Sequence, residues 1–246
     1  MVGRGGQAAV KTVLVPADSL VADSTVVLQA EERQHLRVRR AVHGEAVRVC
    51  DGHGVVAEGR LELEGRRAIV VVGPVERVAP PPPLVLAVAG GDRERFGWLV
   101  EKCVELGATA IIPLDTERGH HVANRLRPSH IARLANRARE TLKQCDRAWA
   151  PEIHRVTPLE DFFATPRPGS RFLADRAGSL PADIPLGDPV TVAVGPEGGF
   201  TAEELAGFSA AGYRPVCFGT AVLRFETAAM AAAAYVSIER KRGHDE

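Results

Sequence analysis

The sequence predicts an α/β protein, with a C-terminal α/β domain on a parallel sheet preceded by a small β domain. Three observations carry that expectation. After residue 84, short apolar runs alternate with stretches of helical periodicity, the order of a parallel sheet covered by helices. Before residue 80, strand-like runs follow one another with turn signals between them and few helix signals. Between the two stands Pro80-Pro81-Pro82-Pro83, a stiff extended spacer that suits neither a helix nor a central strand. The expected organisation is residues 1–79, a linker 80–83 and residues 84–246.

In the first segment the strand-like runs are 12–15, 25–28, 46–50, 55–58 and 68–75. Asp51-Gly52-His53-Gly54 reads as a tight hairpin connection between two of them, so a small barrel or sandwich is expected. The run 33–40 carries Arg33, Arg37, Arg39 and Arg40. Such a cluster either binds phosphates or is a solvated face balanced by Glu31 and Glu32 just upstream.

In the second segment the order is strand 84–89, helix 96–106, strand 109–113, helix 128–145, and strands 171–174, 190–194 and 215–218. Helix 96–106 has a packing stripe of Phe96, Leu99, Val100 and Cys103, and Gly107 ends it. Its Glu101, Lys102 and Glu105, like the preceding Arg95, read as surface charges. Helix 128–145 buries Ile131, Leu134, Ala135, Ala138, Leu142 and Cys145. Arg133, Arg137, Arg139 and Lys143, with Arg147 beyond, form a basic face that reads equally as RNA-contacting or as solvated. A final helix, 226–240, has small residues all round and must be buried on more than one side.

Two loops concentrate the chemistry. Strand 190–194 runs into Gly195-Pro196-Glu197-Gly198-Gly199-Phe200, and Thr201 with Glu204 forms a capping box that starts a helix. Three glycines remove side chains where the chain turns or touches a ligand, and loops at the carboxyl ends of parallel strands bind small molecules. Strand 215–218 enters a second glycine turn at Gly219, followed by the lone Arg224 in an apolar loop.

Composition narrows the class. Lys+Arg and Asp+Glu are both 31, so a nucleic-acid surface must come from local clustering, not overall charge. Cys50, Cys103, Cys145 and Cys217 are dispersed without a C-x-x-C pair, which favours buried reduced thiols over metal or redox roles. His120 and His121 have no ligand-spaced partner and read as loop residues. No apolar run reaches transmembrane length and no signal-peptide core is present, so the expected location is cytoplasmic.

The motifs Gly195–Phe200, Phe218–Ala228, Gly91-Asp92-Arg93 through Gly107, and Thr116-Glu117-Arg118 resemble, in that order, those of the ribosomal RNA small subunit methyltransferase E family. That family belongs to the SPOUT class and methylates N3 of a uridine in 16S rRNA. The resemblance is strong after about Leu84 and weak in roughly the first thirty residues. It implies a SPOUT domain with a trefoil knot, a PUA-like RNA-binding barrel before it, a homodimer, and the small ribosomal subunit as partner. The implied cofactor is S-adenosylmethionine, wrapped by Val194, Gly195, Pro196, Gly198, Gly199, Phe218, Gly219, Val222 and Leu223. Arg33, Arg37, Arg39, Arg40 and Arg93 become candidates for RNA contact.

Uridine N3 carries a proton that must leave, and a positioned cation stabilises the resulting charge on the base carbonyls. Arg224 is the candidate for that role, with Arg118 and Arg93 as helpers. Arginine stays charged, so the proton acceptor is Glu197, a water or another group. Arg224 could alternatively pair with Glu226 or a helix carboxylate, and Glu197 could be a carboxylate favoured at a helix N-terminus. Three departures from the family pattern stand out: Gly90 replaces a lysine, Gly119 a serine and Phe218 a leucine. Methylation of another RNA position, or a non-catalytic RNA-binding module, are the competing readings.

Overall fold

The structure, a computed structural model, describes residues 10–90, 92–119 and 126–245. Gly91, His120 and His121, named above, lie outside the described residues. The chain divides into two compact units, residues 1–80 with 142–150, and residues 81–141 with 151–246.

The first unit is a five-stranded sheet with one helix: β1 Lys11–Leu14, β2 Thr25–Val27, α1 Ala30–Val38, β3 Ala46–Cys50, β4 Val55–Glu64 and β5 Arg67–Arg77. The strand order is β1-β3-β4-β5-β2, with β1 and β3 parallel and the other pairs antiparallel. Alternation puts Val47 and Val49 of β3 and Ala68, Val70 and Val72 of β5 into one core, which Leu36 of α1 completes. The arginine-rich run is therefore helical over most of its length, with Glu31 and Glu32 in the first turn. That helix was not expected, because the run has only Leu36 as a buried apolar residue.

The β4–β5 hairpin extends beyond 55–58 and 68–75, closing at a turn where Gly65 has φ +56°. Its outer half alternates polar residues with the buried Leu61, a one-sided pattern weaker than a continuous apolar run. Residues 142–150 add to this unit. Trp149 donates its indole N–H to the Val78 carbonyl at 2.9 Å. Its ring lies against Gly54, where φ is +91° and a Cβ would come within 2.4 Å of it.

The second unit comprises β6 Leu84–Ala89, α2 Arg93–Glu105, β7 Ala110–Asp115, α3 Pro128–Cys145, β8 Glu152–Ile153, β9 Thr157–Pro158 and α4 Leu159–Ala164. Then follow β10 Ser170–Ser179, a 3-10 turn Pro181–Asp183, β11 Val190–Val194, α5 Ala202–Ala210, β12 Arg214–Val216 and α6 Phe225–Asp245. The last residues of α3, from Leu142, count with the first unit. The sheet is parallel throughout, in the order β12-β10-β11-β6-β7-β8, with β9 also on β7. From the adjacent centre strands β6 and β11, the chain moves outward in opposite directions, creating a topological switch point.

Local chemistry explains the boundaries. Asp92 caps α2 by accepting the Arg95 N–H at 2.9 Å, so this helix starts three residues before its apolar stripe. The alanines of α6 do what small residues allow: Ala229, Ala232 and Ala233 are fully buried, and Phe225 stacks on Phe96 at 6.5 Å. The short β8, β9 and α4 were not foreseen, being too brief to show a period. Cys50 and Cys103 are buried, whereas Cys145 and Cys217 are only half-buried. Burial pushes the Cys103 thiol up to about 12, so it is inert at neutral pH. Among the described residues no helix is long and apolar enough to cross a membrane.

Candidate functional site

Strand β11 is buried along its whole length and delivers the chain to the carboxyl edge of the sheet at Val194. The loop there turns tightly: the Gly199 N–H donates to the Pro196 carbonyl at 2.8 Å, and Gly199 has φ +69°. Thr201 then caps α5 in a full capping box, accepting the Glu204 N–H while one Glu204 carboxylate oxygen accepts the Thr201 N–H at 2.8 Å. The other Glu204 oxygen accepts the Glu117 N–H at 2.8 Å. Arg118 donates to the carbonyls of Gly198 at 2.7 Å and Phe200 at 3.4 Å. Two neighbouring turns are thus fixed to each other.

The departures at Gly90 and Gly119 have a steric reason. Gly90 has φ +84°, and a Cβ there would stand 2.9 Å from the Pro196 side chain. A Cβ at Gly119 would stand 2.5 Å from the Thr116 hydroxyl oxygen, which itself accepts the Gly119 N–H at 3.1 Å. Neither a lysine nor a serine fits there without moving a neighbour.

The second loop follows β12. The Cys217 N–H donates to the Ser179 carbonyl at 2.9 Å, holding this loop beside the end of β10. Phe218 contacts the ring of Tyr235 at 6.4 Å, and Tyr235 donates its hydroxyl to the Pro181 carbonyl at 2.9 Å. The substitution of phenylalanine for leucine therefore keeps an apolar wall and gives it an aromatic backing. Arg224 precedes α6, its carbonyl accepting the Ala228 N–H at 2.9 Å.

The two loops wall one cavity of about 540 Å³ at the carboxyl ends of β10, β11 and β12. Val194, Gly195, Pro196, Gly199, Phe218, Gly219, Val222 and Leu223 all line it, as do Glu197 and Arg224. Gly198 does not; a Cβ there would stand 3.4 Å from the Arg118 side chain. Arg118 is likewise outside the lining and acts on the loop carbonyls, which makes it a positioning residue. Arg93 opens α2 and does not line the cavity.

Asp175 and Arg176 line the cavity and were missed. The apolar run ends at Ala174, but β10 continues to Ser179 through a register shift against β12, which carries these polar residues to the rim. Glu197 pairs with Arg95 at 2.9 Å, its side chain 64% exposed, rather than serving a helix end. Arg224 is exposed and does not pair with Glu226, which is 5% exposed and has one carboxylate oxygen without a partner among the described residues. The cavity fits a ligand of nucleoside size, within the usual range of small-molecule sites. Its charged lining of two acids and two arginines suits a zwitterionic one.

The first unit holds a second cavity, of about 530 Å³. Arg33 and Arg37 of α1 line it together with Arg66 of the β4–β5 turn and Arg67 at the start of β5, over Leu36, Leu63 and Ala68. Arg66 and Arg67 were missed because they adjoin α1 only in the fold. Arg39 and Arg40 stand apart from this cavity, Arg39 donating to the Gln144 side chain at 3.2 Å. Of the basic residues on α3, Arg137 donates to Glu101 at 2.8 Å and Lys143 is buried against Glu32. Among the described residues no cluster of His, Cys, Asp and Glu could hold a metal ion.

Residues 79–237 match the model of the RNA methyltransferase domain family. The chain is similar to ribosomal RNA small subunit methyltransferase E of Synechocystis, 31% identical over 242 residues, covering 91% of this chain and 76% of that one. It is similar also to that of Mycobacterium tuberculosis, 28% identical over 242 residues, covering 89% and 88%. Among solved structures, ribosomal RNA small subunit methyltransferase E from Neisseria gonorrhoeae bound to S-adenosyl methionine superimposes with a TM-score of 0.82. The identity is 26%, over 94% of this chain and 98% of that one.

Proposed function

The chain belongs to the ribosomal RNA small subunit methyltransferase E family, and on that premise we propose that it methylates N3 of a uridine in 16S rRNA. It is an S-adenosylmethionine-dependent rRNA methyltransferase; the target atom is the proposal. The single observation that carries the reading is the cavity between the two glycine loops, with Arg224 exposed on its wall.

S-adenosylmethionine supplies a methyl group on a positively charged sulfur. The bare backbone at Gly195 and Gly219 allows close approach, and Leu223 and Phe218 give apolar walls that exclude water. Asp175 and Glu197 provide negative charge at the rim. In this reading Arg224 shares hydrogen bonds with the uridine carbonyl oxygens, spreading the charge that N3 leaves behind as its proton departs. One Glu197 carboxylate oxygen accepts from Arg95, and the proton acceptor in this reading is the Glu197 carboxylate, a water or another group. Arg118 keeps the glycine loop in the turn this requires.

The test is nucleoside analysis of 16S rRNA from a strain lacking the protein. Loss of N3-methyluridine, restored by the wild-type chain, is expected. Unchanged N3-methyluridine with loss of a tRNA or ribose mark would move the target elsewhere. Calorimetry showing no S-adenosylmethionine binding would leave only an RNA-binding module.

The proposal includes a PUA-like role for the first unit, a trefoil knot formed by the C-terminal segment, cytoplasmic action on the small subunit, and a homodimer. Light scattering at micromolar concentration should return the dimer mass, and a monomer mass would remove the dimer. RNA contact is assigned to the arginine-lined cavity. Arg37→Glu should weaken binding of an rRNA fragment and lower the slope of log affinity against log salt by about one or more. An unchanged slope would take Arg37 out of the RNA interface.

A further inference from the structure

We propose that the second unit carries a separate oxyanion site, in which Arg167, Arg171 and the hydroxyl of Tyr213 take a phosphate-like group. The three side chains line a small cavity of about 90 Å³, walled by Phe162 and Thr165. It shares no residue with the cavity of the glycine loops. Arg171 is the second residue of β10, so the site lies towards the start of that strand, whereas Leu173 to Arg176 line the larger cavity.

Each donor is held in place with hydrogen-bonding capacity unused. Tyr213 is 6% exposed and its hydroxyl has no partner among the described residues, which for a buried hydroxyl is costly. The Nε atoms of Arg167 and Arg171 are likewise buried without a partner among the described residues. Arg171 is oriented by donating from Nη1 to the Ala211 carbonyl at 2.7 Å. Arg167 is oriented by lying over the Phe162 ring, 4.4 Å from its centroid. Neither guanidinium meets a carboxylate among the described residues.

Burial pushes the Tyr213 phenol up to about 12 although both arginines pull it down, so it stays a neutral donor. Two cations and one hydroxyl therefore converge with donors and no competing acid, the complement of an oxyanion. A volume of about 90 Å³ holds a group of a few heavy atoms and excludes a nucleobase. The phosphate is either free in solution or part of an RNA backbone.

Thermal unfolding of the whole chain, in inorganic phosphate against chloride at equal ionic strength, tests the site. Phosphate at about ten times its dissociation constant should raise the wild-type Tm by about 4 °C. Tyr213→Phe should keep or raise the Tm in chloride, since it removes an unsatisfied hydroxyl, and should lose most of the phosphate shift. Arg167→Gln should lose that shift independently. A salt titration of oligouridylate binding separates the sources. If the variants lower its affinity and salt slope, the ligand is an RNA phosphodiester; if only the inorganic phosphate shift falls, it is a free anion. Equal phosphate shifts in wild type and both variants, with oligouridylate binding unchanged, overturn the proposal. None of these readouts depends on methyl transfer.

Discussion

Arg224→Ala should lower kcat for rRNA methylation by about 10²–10³-fold, the usual loss when one preorganised donor to a developing negative charge is removed. Donor affinity should change far less, because the cavity is walled mainly by backbone and apolar groups of the two loops. The exposed guanidinium lines that cavity just before α6. Arg224→Lys keeps the charge but loses the planar fork that reaches two oxygens, so its rate should fall between the two. Single-turnover rates with calorimetry of S-adenosylmethionine binding make the measurement. A rate within threefold of wild type would remove Arg224 from the reaction and return attention to Arg176, the other arginine on the cavity wall.

Glu32→Ala should destabilise the first unit by about 3–5 kcal/mol, the penalty for removing one partner of a buried ion pair. Glu32 and Lys143 are 5% and 6% exposed and their charged ends touch, with Glu32 also accepting the Leu14 N–H at 3.2 Å. Alanine would leave the Lys143 ammonium buried without this carboxylate. Replacing both together, as Glu32→Leu with Lys143→Met, should recover most of the loss, since a well-packed apolar pair is often no worse than the ions. Urea unfolding of the full chain checks this. A loss below about 1 kcal/mol for Glu32→Ala would show that water reaches the pair.

The glycine loops were legible because their signals are local. The capping box at Thr201 and Glu204 forms as the spacing requires, and β11 and β6 keep the bounds their apolar runs indicate. Less legible were elements whose signals depend on one-sided burial. Helix α1 has a single apolar anchor, Leu36, and two acids in its first turn, one of which is buried against Lys143 from far along the chain. Asp175 and Arg176 reach the cavity through a shift in strand register that no run of residue types marks.

By itself the sequence determined the alternation of strands and helices after the prolines, the two loops bare of side chains and the family they indicate. Each rests on neighbours within a few positions, where backbone conformation and hydrogen bonding are set locally. Only the tertiary structure decided which charges stand free. Arg137 and Lys143 are taken up by Glu101 and Glu32, Arg118 by loop carbonyls, while Arg66 and Arg67 join α1 in a basic hollow. A side chain's charge is visible in the sequence, but its partner is fixed by packing between segments tens of residues apart.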